Sequence, residues 1–141
     1  MRRNPVSASG TAVIEFAFVL PVLLIVFFGI IEFSVALFNK AILTNASREA
    51  ARSGIVYVGP NTTLTDEAII GIATNNCQGL ITFQDDVAPV VTVTRADSPD
   101  FEQQLLTVRI NYSYSGLGLG QLLTSMSGPL DLDASTTMKF E

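Results

Sequence analysis

A chain of 141 residues has room for one modest domain, yet 48% of it is apolar and only 15% charged, and the apolar residues crowd in before Lys40. That excess is more than a small water-soluble core takes up, and membrane insertion accounts for it. A net charge of -5 with eight scattered basic residues excludes a phosphate-binding face for nucleic acid. With no histidine and one cysteine, Cys77, the chain forms neither an internal disulfide nor a Cys/His metal cluster. No cofactor, metal or small-molecule substrate is implied, and Cys77 reads as a small buried apolar residue.

Residues 16–31, FAFVLPVLLIVFFGII, carry no charge, and the apolar character resumes after Glu32 at Phe33, Val35, Leu37 and Phe38. As a helix the uncharged run is about 24 Å long. A hydrocarbon core of about 30 Å needs slightly more, which extends the lipid-covered part to about Val35 and leaves Glu32 near the outer interface. The expected transmembrane helix is residues 11–38. Pro21 lies inside it and predicts a kink, because it removes a backbone hydrogen bond and crowds the preceding turn. Arg2 and Arg3 precede the span and no basic residue follows until Lys40. The positive-inside tendency then keeps the N-terminus cytoplasmic and sends the C-terminal domain to the periplasmic or extracellular side.

Two plain readings of this segment are a cleaved secretory signal, with Ser34-Val35-Ala36 as the cleavage site, and a simple single-pass anchor. Neither accounts for Glu15 at the leading edge of the apolar run, a charge that costs about 2.5 to 3.5 kcal/mol at a helix centre in lipid. The unit Ser9-Gly10-Thr11-Ala12-Val13-Ile14-Glu15-Phe16, following a short basic leader, resembles a prepilin peptidase site. More closely, it is similar to the TadE-like pseudopilins of tight-adherence (Flp, type IVc) pilus systems. The resemblance implies removal of a leader, residues 1–10, by a membrane protease that cuts between Gly10 and Thr11. Gly10 suits that step because a residue without Cβ permits an extended peptide and close approach of a protease. By the same likeness Glu15 becomes the fifth mature residue, followed by Phe16, and pairs with the N-terminal ammonium of a neighbouring subunit on assembly.

Beyond the span, helical spacing continues through residues 39–58, with Phe38, Ile42, Asn45 or Ala46, Glu49 or Ala50, Ser53, and Val56 or Tyr57 as a stripe and Gly59-Pro60 as the stop. The small residues Ala46, Ala50 and Ser53 or Gly54 permit close packing, either on the chain's own sheet or on another helix. Residues 47–54, SREAARSG, resemble the alanine- and arginine-rich stretch that follows the membrane helix in TadE-like proteins. Glu49 and Arg52 are spaced for a surface ion pair.

In the exported domain, residues 59–141, Thr65 or Asp66 caps a short helix to about Asn75, with Ala68, Ile69, Ile72 and Ala73 as its apolar face. Strands follow at residues 80–84, weakly, then at 90–95 and 105–115, where Leu106, Val108, Ile110, Tyr112 and Tyr114 share one face. Residues 96–103 connect those last two strands. Residues 131–141 alternate as a final strand and resemble the C-terminal strand of TadE-like proteins. Gly116, Gly118 and Gly120 lack the spacing and the lysine of a phosphate loop and read as an apolar connector. Asp85, Asp86, Asp97, Asp100 and Glu102 match no calcium loop and read as turn formers.

The expected fold is α+β, a long N-terminal helix packed on a small antiparallel sheet, pilin-like in plan. The resemblance implies a structural minor pilin or pseudopilin that primes or joins a Tad-type adhesive pilus. Its partners are then the inner membrane, the prepilin peptidase, other pilin subunits and the assembly platform. The competing readings are a single-pass periplasmic interaction protein unrelated to pili and a membrane-anchored enzyme. The enzyme is disfavoured because no nucleophile stands with a base.

Overall fold

A computed structural model of the chain describes residues 8–59, 62–82, 88–96, 104–116 and 129–140. Its first element, α1 (Ala8–Gly54), is 47 residues of unbroken helix that passes through Pro21, about 70 Å at 1.5 Å per residue. The expected stop at Gly59-Pro60 is corrected: the helix ends at Gly54, and Tyr57–Gly59 forms β1, paired antiparallel with β2 (Thr62–Thr63). Packing explains the earlier end. A Cβ on Gly54 would lie 2.4 Å from Leu106 Cδ2 and 2.8 Å from Ile69 Cδ1, so only glycine lets the helix terminus press this closely on the core. The next four residues, Ile55 to Val58, are β-branched or aromatic and favour extended backbone.

The second helix, α2 (Asp66–Asn76), begins where expected. The Thr65 hydroxyl accepts from the Ala68 amide at 3.4 Å, and Asp66 and Glu67 place negative charge at the positive end of the helix dipole. Ile69 and Ala73 are buried on its inner face, and Cys77, at its C-terminal cap, is buried as a small apolar residue.

Strands β3 (Val90–Ala96), β4 (Leu105–Tyr114) and β5 (Leu130–Lys139) form one antiparallel sheet in the order β3-β4-β5. The register runs without a bulge, as in Val93↔Val108 and Val108↔Thr136. The central strand buries the alternate set Leu106, Val108, Ile110, Tyr112 and Tyr114, and β5 buries Leu132 and Ala134 beside them. Phe140, just past β5, closes the core, its amide donating to the Gln104 carbonyl at 3.2 Å. The opposite face is largely exposed, so β4 reads apolar inward and mostly polar outward, while the half-buried set of β3 is Val91, Val93 and Arg95.

Two expectations are revised. Residues 80–82 form no strand, because the Ile81 backbone is bonded on both sides by one side chain, that of Asn39; residues 83 and 84 lie outside the described residues. The inner stripe of α1 is also rotated from the expected one. It runs Ala36, Asn39, Leu43, Ala46 with Ser47, Ala50 with Ala51, and Gly54, while Phe38 is exposed and Ile42 half-buried. Of the two uses left open for Ala46, Ala50 and Gly54, the structure takes the first: they seat α1 on its own domain. The residues 117–128 connector and the acidic residues Asp85, Asp86, Asp97, Asp100 and Glu102 lie outside the described residues.

Candidate assembly site on the membrane helix

The surface of α1 divides into two lengths. Every residue from Gly10 to Ile30 is exposed, whereas from Ala36 onward one side of the helix is buried. Large apolar side chains such as Phe16, Phe18, Leu23 and Phe27 stand free of any protein contact that would hide them. In water such a surface is costly, and lipid is the medium that removes the cost. The Gly10–Gly54 helix is the one element among the described residues long and apolar enough to cross a membrane. Its uncovered length, residues 10–30, measures about 31 Å and matches a hydrocarbon core.

The residues singled out for processing and assembly lie at the start of this length. Gly10 and Thr11 sit in the first turns of α1, which begins at Ala8, so the Gly10–Thr11 bond is helical rather than extended. Glu15 is exposed on the same helix, and no ion pair or hydrogen bond among the described residues reaches it. Phe16 beside it is 61% exposed. Pro21 lies on the uninterrupted helix and, lacking an N–H, leaves the Ala17 carbonyl without its usual partner.

At the outer end of the span, polar groups are disposed differently. The Ser34 hydroxyl donates back to the Ile30 carbonyl at 2.7 Å, and the Thr44 hydroxyl to the Lys40 carbonyl at 2.8 Å. Asn39 is fully buried and donates its amide to the Ile81 carbonyl at 2.8 Å while accepting from the Ile81 N–H at 2.9 Å. The Lys40 ammonium donates to the Asp133 backbone carbonyl and lies 3.8 Å from the Asp133 carboxylate, which Arg109 also approaches at 3.7 Å. Glu32 faces the end of β4. The Tyr114 hydroxyl there is buried without a well-formed hydrogen bond; burial and then the Glu32 carboxylate raise its pKa well above the ordinary phenol value. Burial likewise raises the Cys77 thiol.

The sequence pattern places Tyr114 on the inward face of its strand but assigns no role to Asn39. For Asn39 the signal was present: it shares the i, i+4 row of Leu43 and the i−3 row of Ala36, so a polar residue stood on the buried side and needed a partner. The pairing of Glu49 with Arg52 is not formed; both are exposed, and such pairs are worth little in water. No group of three or more His, Cys, Asp or Glu side chains able to hold a metal occurs among the described residues.

One apolar helix continuous with a small α+β domain has the plan of a single-pass membrane protein. Residues 10–52 match the family model for TadE, TadE-like protein, so this segment of the chain is similar to that family. The match opens on Gly10 and closes in the alanine- and arginine-rich stretch, so it covers most of two of the three resemblances; the C-terminal strand lies beyond it. No curated protein and no solved structure matches the chain.

Proposed function

We propose that the chain is a structural minor pilin or pseudopilin of a Tad-type adhesive pilus, held in the inner membrane with its N-terminus cytoplasmic and trimmed after Gly10. The observation that carries this reading is the start of the TadE match at Gly10, with the exposed, unpaired Glu15 five residues on. Trimming places a new ammonium at Thr11, and in lipid a carboxylate gains most from a partner of opposite charge on an adjoining helix. Because the Gly10–Thr11 bond lies in a helical terminus, the first turn must open to enter a protease; a helix end without acidic residues in its first turn lacks the charge that would hold it closed.

The signal-peptide alternative fits less well. Cleavage after Ala36 would cut α1 at a buried core residue, one turn before Asn39 and two before Leu43. The intact mass of the protein taken from its native membrane tests the proposal. A species lacking residues 1–10 is expected; a full leader, or a chain beginning at Leu37, overturns it. Glu15→Ala is expected to abolish complex formation with other pilin subunits while leaving the outer domain folded.

A further inference from the structure

Between the end of the fully exposed span and the polar outer half of α1 lies a stretch, residues 32–44, whose two sides differ. The side toward the sheet carries Glu32, Asn39 and Lys40, which turn to Tyr114, Ile81 and Asp133. The side away from the sheet carries Phe33, Ser34, Leu37, Phe38 and Ala41, all exposed. Phe33, Leu37 and Phe38 are 65%, 54% and 49% exposed. Ser34, the polar member of that row, has its hydroxyl spent on the Ile30 carbonyl, the arrangement that lets serine face an apolar medium without a bare donor. The first exposed polar side chain farther along is Asn45, followed by Arg48 and Glu49.

From these placements we infer that α1 is immersed unevenly, its Phe33-Leu37-Phe38 side lying in the lipid interface while the sheet side leaves the lipid at Glu32. This rests on the single-span reading of α1. The surface is continuous with the lipid-facing surface of the span, and its one polar member, Ser34, has its hydroxyl bonded to the helix backbone. From Glu32 to Phe38 the helix rises about 9 Å. That equals the depth to which apolar faces enter the headgroup and acyl boundary. A lipid boundary about 9 Å higher on one side of a helix about 10 to 12 Å wide corresponds to a tilt of about 40°, the upper end of the range for membrane helices. The tilt is directed so that Phe38 goes down and the sheet, with Tyr114 and Leu130 at its near end, is lifted clear. Lipid is therefore the partner of this face in the membrane-held state.

The chain has no tryptophan, so single substitutions supply a clean depth probe. Full-length Phe38→Trp, Phe27→Trp and Ile70→Trp proteins are reconstituted in phosphatidylcholine and phosphatidylglycerol vesicles containing lipids brominated near the headgroup or near the chain ends. Expected is about twofold quenching of the Phe38→Trp emission by the shallow bromines and little by the deep ones, as for an interfacial side chain. Phe27→Trp should respond to the deep bromines and Ile70→Trp to neither. Phe38→Trp emission that is red and unquenched overturns the inference. So does emission that is blue, unquenched and dependent on the protein-to-lipid ratio, which would assign the face to a second copy. If Phe27→Trp is also unquenched, the single-span reading itself fails; if it alone is quenched, only the uneven immersion does.

Discussion

The two halves of α1 are one helix by backbone geometry and two by environment. In the inner half, large side chains point in every direction and none is buried by the protein; in the outer half, small side chains line one face and hold the helix close against β4 and β5. Size is therefore selected by what covers the surface. Lipid conforms to any apolar shape, so the inner half needs bulk and length. A sheet is rigid, and Ala46, Ala50, Ala51 and Gly54 are small because backbone must approach backbone there. The inner half needs no particular neighbour, while the outer half is specified residue by residue.

That contrast is broken most directly by one change made in both halves. Leu43→Ala removes a fully buried side chain and is expected to cost the outer domain about 3 kcal/mol, measured by denaturant unfolding of the detergent-solubilised protein. Leu24→Ala, 44% exposed in the span, should leave that transition where it is. Equal effects would show that the halves are not distinct. Next comes Gly54→Val, whose branched side chain must displace Leu106 and Ile69; about 2 to 3 kcal/mol is expected to be lost, with no change in membrane partition. Asn39→Ala strands both Ile81 backbone groups, and a loss of about 2 kcal/mol together with faster hydrogen exchange at the Ile81 amide is expected.

The smallest effect concerns pH. The Cys77 thiol and Tyr114 phenol have folded-state pKa values raised above their ordinary 9.0 and 10.0. Both bind protons more tightly folded than unfolded, so their contribution is complete below pH 9 and is lost as pH rises through the raised values. Outer-domain stability should be flat around neutrality and fall in the alkaline range. Tyr114→Phe deletes a buried hydroxyl that lacks a good partner, so it should change neutral-pH stability by under about 1 kcal/mol and shallow the alkaline fall. A steeper fall in that variant would refute the assignment.

Much of the fold was legible because its signals are local. The alternation of Leu106, Val108, Ile110, Tyr112 and Tyr114 set the buried face of β4 by period alone, and Thr65 followed by Asp66 and Glu67 marked the start of α2. The candidate site was legible for the same reason: Gly10, Glu15 and Phe16 stand at fixed intervals on one helix next to an apolar run. The illegible features are contacts distant in sequence. Asn39 holding Ile81 replaced an expected strand, and Leu106 with Ile69 fixed the end of α1 at Gly54 rather than at Gly59-Pro60.

By itself, then, the sequence determined that one helix is long and apolar enough to cross a membrane and which face of β4 is apolar, since hydropathy and periodicity are properties of neighbours along the chain. The tertiary structure alone decided which side of α1 meets the sheet, and so which side is left uncovered. Rotation of a helix about its axis costs nothing until another element packs against it, and only Leu43, Asn39 and Gly54 in their contacts set that angle.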